Sequence, residues 1–172
     1  INLFNCVKLG FTATPKYSKD KHVSNLLKNE IHWMSIIEAV EKRLISRFKS
    51  YIAYTDIDLS SVQVKNKERY DEHQLEIAIN KKSRNQSAVE LYKNQFEGHL
   101  AVAYCGGVDH ATDVAKEFNS AGVSAEVISG YTTDDEKDAI LKRFKDGKTK
   151  VLCNARILIE GFDEPKATVC LN

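Results

Sequence analysis

Between Leu100 and Leu171, strand-like runs and helix-like segments alternate with only short turns between them, and few folds tolerate that order. Apolar runs at Leu100–Tyr104, Val123–Ile128, Lys148–Cys153 and Ala167–Leu171 read as strands. His110 to about Ala121 carries Val114, Ala115 and Phe118 on one helical face, with Asp109 as its expected cap and Gly122 placed to end it in a left-handed conformation. Thr133 and Glu136 form a capping-box pair before a second helix, which holds Ile140, Leu141 and Phe144 and stops at Gly147. The order β-α-β-α-β-loop-β predicts an α/β fold, a parallel sheet flanked by helices. Ligands of such sheets sit at the carboxyl ends of the strands. Three loops leave those ends here: Cys105–Asp109, Ser129–Thr132 and Asn154–Pro165.

The third loop carries the densest chemistry. Leu158-Ile159-Glu160-Gly161-Phe162-Asp163-Glu164-Pro165 follows the strand-like run Lys150-Val151-Leu152-Cys153. Gly161 permits a sharp turn or a close approach to a ligand, and Pro165 stops the turn from continuing as a helix. A second loop of interest, Leu9-Gly10-Phe11-Thr12-Ala13-Thr14-Pro15, follows the strand-like run Asn5–Leu9. Pro15 and Pro165 are the chain's two prolines, one in each of these loops.

Upstream of Leu100 the pattern is looser. Lys16 to Asn29 is polar and lysine-rich and reads as a surface linker and domain boundary. Ser35 and Glu38 form a capping signature before Ile36, Ile37 and Val40. Phe48 to Asp56 alternates and is rich in Tyr and Ile, which predicts a strand. Asp71–Asn80 and Asn85–Phe96 show helical spacing, the second with Val89, Tyr92 and Phe96 on one face.

Hydrophobic residues make up 42% of the 172 and charged residues 28%, an ordinary balance for one good core. A net charge of +1 leaves any nucleic-acid binding to local geometry rather than to a basic shell. No apolar run approaches the ~20 residues of a membrane span, and no leader pattern opens the chain. Cys6, Cys105, Cys153 and Cys170 lie in or beside strand-like segments with no C-x-x-C pair. They read as small buried thiols of a reducing compartment, hence a cytoplasmic protein without a metal site.

The blocks and their spacing resemble the second RecA-like domain of superfamily 2 DEAD/DEAH-type helicases, with type I restriction motors and branched-DNA helicases as the relatives in view. The carrying residues are Ala101-Val102-Ala103-Tyr104-Cys105 with His110, Ser129-Gly130-Tyr131-Thr132 with the helix after it, and Val151-Leu152-Cys153-Asn154 through Gly161-Phe162-Asp163-Glu164-Pro165. Thr12-Ala13-Thr14-Pro15 resembles the coupling motif at the end of the first RecA-like domain. The resemblance implies three parts: residues 1–15 as the tail of a first domain, 16–98 as connector, and 99–172 as a second domain ending before its arginine-bearing motif.

It also implies half of an ATP cleft and half of a nucleic-acid groove, within a helicase or translocase acting on DNA or RNA. Glu160, Gly161 and Asp163 would face the nucleotide. Gly106, Gly107, His110, Gly130, Thr132, Asn154 and Arg156 would lie along the nucleic-acid strand, and Thr12, Ala13 and Thr14 would couple the two sites. ATP and Mg2+ would be held mainly by the first domain, since this chain has no G-x-x-x-x-G-K-[ST] cradle and no Asp-Glu box before Thr12. By itself the chain is expected not to hydrolyse ATP. Ala155 and Ile159 stand where the family often has a phosphate-touching Thr.

Plainer readings stay open on the residues alone. Gly106-Gly107 also suits a tight turn, His110 an exposed helix start, Arg156 a solvated charge and Asp163 a turn residue. As a whole, the chain also suits a degenerate RecA-like module that binds nucleic acid or protein without turning over ATP. An unrelated parallel α/β enzyme lacks a nucleophile, metal cluster or cofactor fingerprint at the strand ends.

Overall fold

The computed structural model describes residues 9–10, 12, 27, 33–52, 57–65, 69–158 and 162–172. The chain divides into two compact units, 1–53 and 54–172. In the first unit, helix α1 spans Ile36–Glu41, and the Ser35 side chain accepts the Glu38 amide at 3.1 Å, as the capping signature predicts. No residue of α1 is buried. Residues 48–52 form neither helix nor strand and lie exposed, against the expected strand over Phe48–Asp56; 53–56 fall outside the described residues. Alternation marks a strand only where a neighbouring strand takes up its backbone groups, and no ladder forms at 48–52. The expected strand at Asn5–Leu9 and the linker at Lys16–Asn29 also fall almost wholly outside the described residues.

The second unit opens with a minimal antiparallel pair, β1 (Val64–Lys65) and β2 (Arg69–Tyr70), which the sequence pattern did not announce. Helices α2 (Glu72–Ile79) and α3 (Lys82–Gln95) follow. The remaining elements are β3 (Leu100–Tyr104), α4 (Val108–Ser120), β4 (Ala125–Ile128), α5 (Asp134–Lys145), β5 (Val151–Asn154) and β6 (Ala167–Leu171). Strands β3 to β6 form one sheet in the order β4-β5-β3-β6, with every pairing parallel. This is the predicted α/β architecture.

Strand periodicity sends alternate side chains to opposite faces. Ala101, Ala103, Val151, Cys153 and Ala125 meet Val114, Ala115 and Phe118 of α4 and Val89 and Tyr92 of α3 in one core. Leu100, Val102, Leu152 and Ile128 meet Ile140 and Phe144 of α5 in the other. The small alanines on the first face leave room for two helices. Tyr92 is fully buried, stands edge-on to Phe118 at 5.5 Å and donates its hydroxyl to the His99 carbonyl at 2.6 Å. Strand β6 keeps this two-faced order through an irregularity. Ala167 lies opposite Leu100 and Val169 opposite Ala101, so Thr168 is an extra residue. The insertion lets Ala167 face one core and Val169 the other although they are two apart.

The caps mostly follow the sequence. Thr133 and Glu136 make both bonds of the capping box, and Gly122 and Gly147 take left-handed φ values of 81° and 73° just past their helices. Helix α4 departs from expectation. It begins at Val108 with Gly107 as its cap, and Asp109 lies exposed in the first turn. Cys105 and Cys153 are buried as predicted, whereas Cys170 is exposed on β6, an edge strand among the described residues; Cys6 lies outside the described residues. A hydrogen bond with Cys105, then burial, keeps the Cys153 thiol protonated well above its ordinary range. Among the described residues no helix is long and apolar enough to cross a membrane.

Glu126 of β4 ties α5 to the edge of the sheet. Arg143 donates to it from Nε at 3.1 and 3.0 Å and from Nη2 at 2.5 Å, and the Thr149 hydroxyl also donates to it. Arg143 first, and the Thr149 hydroxyl after it, hold the Glu126 carboxyl below its ordinary value against the opposing pull of burial. A depressed carboxylate stabilises the fold above its unfolded pKa and loses that contribution as pH falls through the folded value. Glu126→Gln should therefore cost about 1 kcal/mol at neutral pH. The gap between wild-type and variant melting temperatures should be constant from about pH 6 to 8 and close as pH drops below about 4. Thermal melts of both proteins across that range check it; a gap that persists in acid would remove the ion pair as its source.

Candidate functional site

The sheet order sets β4, β5 and β3 side by side, so their carboxyl ends open on one edge. Pairing continues past the strands: the Cys105 amide donates to the Asn154 carbonyl at 2.9 Å, and the Ala155 amide donates to the Ile128 carbonyl at 2.9 Å. The roots of all three predicted loops are thereby stitched together. An added Cβ on Gly130 would stand 4.0 Å from Ile157, so the β4 and β5 loops are also neighbours along the edge.

Asn154, at the end of β5, is 1% exposed. Its Oδ1 accepts the Ile157 amide at 2.8 Å and the Leu158 amide at 2.9 Å, folding the chain into a tight turn with Leu158 buried beneath it. Its Nδ2 is buried without a hydrogen-bond partner. Asn154 therefore shapes the loop through its side chain. The same turn forces Arg156 to a left-handed φ of 66°, and Arg156 lies exposed with its Nη1 paired to the Glu72 carboxylate of α2.

At the β3 loop, Gly106 and Gly107 lead into α4. His110 is 3% exposed, not an exposed helix start, because it faces the core beside Ala111 and Val114. Its Nδ1 accepts the Gly106 amide at 3.1 Å, which puts the ring proton of the neutral form on Nε2, 3.4 Å from Arg84 Nη1. Burial first, and the Arg84 guanidinium second, lower its pKa against Glu76 and Asp113. The His110 amide donates to the Glu76 carboxylate of α2 at 3.0 Å. An added Cβ on Gly107 would lie 2.1–2.3 Å from that carboxylate, and one on Gly106 would lie 2.6 Å from Ile79. Both glycines thus admit close packing of α2, and a carboxylate already sits at the start of α4, where the macrodipole favours an anion.

At the β4 loop, the Thr132 hydroxyl accepts the Ser129 amide at 3.0 Å, and the Thr132 amide donates to the Ser129 carbonyl at 3.0 Å. Among the described residues the Thr132 hydroxyl accepts the Ser129 amide and donates to none, and Gly130 is exposed. Beyond the β5 turn, Phe162 is half-buried against the core beside Phe144, with ring centroids 6.5 Å apart, and Asp163 next to it is exposed. Glu160, Gly161, Ala13 and Thr14 lie outside the described residues, and Thr12 is exposed in the first unit.

The structure thus brings Gly106, Gly107, His110, Gly130, Thr132, Asn154 and Arg156 to one sheet edge. The sequence reading passed over Glu72 and Glu76; their signal was two acids at i and i+4 on a predicted helix. An open cleft of about 450 Å3, bounded by His99, Lys145, Lys150 and Lys166, lies at the amino ends of the strands and so apart from these loops.

The chain is 29% identical over 164 residues to a 51.5 kDa protein of a Lactococcus phage, covering 95% of this chain and 36% of that protein. It is also 29% identical over 164 residues to the putative ATP-dependent helicase IRC3 of Saccharomyces cerevisiae, covering 91% and 23%. A third relative, the DNA 3'-5' translocase XPB2 of Sulfurisphaera tokodaii, is 23% identical over 95% of this chain and 45% of its own length. The chain thus spans between about a quarter and a half of these relatives. Residues 80–172, from the start of α3 through the whole sheet, match the helicase conserved C-terminal domain, and the chain belongs to that family.

Proposed function

We propose that this chain is the part of an ATP-dependent helicase or translocase that supplies one wall of the ATP cleft and one wall of the nucleic-acid groove. The observation that carries the reading is the convergence of three glycine- or asparagine-shaped loops on one edge of a parallel sheet in a chain of this family. Residues 1–15 belong to the end of the first RecA-like domain, 16–98 to the connector and 99–172 to the second domain. Loop amides at Gly107 and Gly130, the Thr132 hydroxyl and the Arg156 guanidinium contact backbone phosphates, which position a strand without reading its sequence, whereas the Gly106 amide is already taken by His110 Nδ1. Asn154 and His110 act from beneath, holding the loop backbones in shape.

Glu160, Gly161 and Asp163 face the nucleotide, and Thr12, Ala13 and Thr14 couple its state to the groove. The exposed Asp163, carried beside the anchored Phe162, fits an acceptor for a nucleotide hydroxyl or an ordered water. Mg2+ and the phosphates of ATP are assigned mainly to the first RecA-like domain, since this chain has no G-x-x-x-x-G-K-[ST] cradle. Relatives are named both as an RNA helicase, PRP28 of Pyricularia oryzae, and as a DNA translocase. Contacts through phosphates serve either polymer.

In the whole protein, ATP hydrolysis should rise on addition of single-stranded DNA or RNA; a turnover rate indifferent to both polymers would end the motor reading. Asp163→Ala should lower that turnover by about tenfold, in keeping with loss of one polar contact to the reacting complex, and leave the melting temperature unchanged because Asp163 is exposed. Wild-type turnover in the variant would place the nucleotide elsewhere. Arg156→Ala should weaken oligonucleotide binding similarly for all sequences and reduce the slope of log affinity against log salt by about one. An unchanged slope would take Arg156 off the strand path.

A further inference from the structure

Helix α2 places one carboxylate on a donor just assigned to phosphates, Arg156, and a second beside another, Gly107. Glu72 and Glu76 lie one turn apart and Ile79 nearly one more, so the three share a face. Glu76 accepts the His110 amide at 3.0 Å and fills the space beside Gly107 that any side chain at that position would take. Glu72 pairs with Arg156. Ile79 rests against Gly106. One helix face therefore covers the β3 loop and the β5 loop together.

The attachment of α2 differs from that of α3. No residue of α2 is buried, and Ile77 is exposed. Polar contacts hold it: Asp71 caps it through the Gln74 amide at 2.9 Å, Gln74 Oε1 accepts the Gln63 amide at 2.8 Å, and Asn80 Nδ2 donates to Asp113 at 2.9 Å. Two residues, Asn80 and Lys81, separate it from α3, whose Val89 and Tyr92 are locked in the core. The Glu72–Arg156 pair is largely exposed on both sides and therefore strongly screened.

We propose that α2 is an acidic strap lying across the strand path, with Glu76 and Glu72 standing where two consecutive contacts to a nucleic-acid backbone form, so that single-stranded nucleic acid must displace it. The strap rests on the proposed strand path. A phosphate competes for the same donors as a carboxylate but carries its charge on more oxygens. The polymer also brings many such groups at once, whereas α2 brings two. The chain would thereby reject stray, short or weakly held strands and engage only a polymer long enough to occupy both positions.

The test uses the 172-residue chain with a labelled oligothymidylate and an oligouridylate of about 20 nucleotides at about 50 mM salt. Glu72→Gln with Glu76→Gln removes both charges and keeps a carbonyl for the His110 amide. The double variant should bind both probes about tenfold more tightly than wild type. Adding Arg156→Ala should abolish most of that gain. In the wild-type chain, saturating probe should strip hydrogen-exchange protection from the amides of residues 72–79 while leaving those of α3 protected. Equal or weaker binding by the double variant, with Arg156→Ala still weakening wild-type binding, overturns the strap and leaves the strand path standing. Indifference to Arg156→Ala in both backgrounds overturns the strand path, and the strap with it. Should the double variant fail to fold by circular dichroism, the exchange measurement decides alone: unchanged protection over α2 with probe bound overturns the strap.

Discussion

Everything at the candidate site depends on the register of β3 against β5. Ala101 to Tyr104 lie opposite Val151 to Asn154, and both strands run the same way, so their carboxyl ends arrive at the same height. A slip of one residue would exchange Ala101 and Ala103 with Leu100 and Val102 between the faces. The alanine side would then be too bulky for α3 and α4, and the α5 side would be left underfilled. The two cores therefore fix the register, and the register fixes where the loops begin. Pairing beyond the strands, from Cys105 to Asn154 and from Ala155 to Ile128, carries that definition into the loop roots. The site inherits its geometry from packing that takes place well behind it.

Two buried polar side chains then turn loop roots into loop shapes. Asn154 and His110 each lose solvation on burial, a cost of about 1–3 kcal/mol for any polar group left unpaired. Asn154 offsets much of this by binding two amides with one oxygen, and His110 by binding the Gly106 amide. The amides they capture point inward and are spent. What remains for a ligand is the rest of the loop backbone, the Thr132 hydroxyl and the Arg156 guanidinium, which the Asn154 turn pushes outward at a φ that an L-residue rarely adopts. A non-glycine residue in that region is held there by its surroundings, which here are a buried asparagine on one side and a buried leucine, Leu158, on the other.

The parts of this fold that were legible in the sequence share a cause. From Leu100 onward each element is specified locally by its own period and its own caps, even though the sheet sets β3 between β5 and β6, which follow it far along the chain. Strand β6 matches the expected range residue for residue, and the Thr133–Glu136 cap forms both of its bonds. The misread parts depend on contacts from far along the chain. Asp109 has the chemistry of a cap, but the helix starts earlier, at Val108, and Glu76, 34 residues before His110, binds the His110 amide that a capping side chain at position 107 would serve. His110 looks like a polar helix start, yet it falls on the same stripe as Val114 and Phe118 and is drawn into the core with them. Phe48–Asp56 alternates as a strand does, but alternation does not supply the partner that a ladder needs. At the site, residue type and position were legible and role was not. Asn154 and Arg156 stood out together, and only the structure separates the one that builds the loop from the one that faces outward.

The contrast between α2 and α3 extends the same logic to function. Both are helices of ordinary propensity on the same side of the chain's order, but only α3 carries large apolar residues at positions that meet the sheet, through Val89 and Tyr92. Leu75, Ile77 and Ile79 of α2 reach no such place, so α2 gains little from the hydrophobic effect, which is large and carries no charge for an anion to screen. It is held by capping bonds and by charge, which are individually small and, in the exposed Glu72–Arg156 pair, sensitive to whatever other charge approaches. An element secured by packing stays put when an anion arrives. One secured by carboxylates on amide and guanidinium donors competes with the anion for the same groups. The division of the second unit into a packed sheet with α3 to α5 and a charge-held α2 thus places the element most responsive to a polyanion directly over the β3 and β5 loops proposed for the strand path.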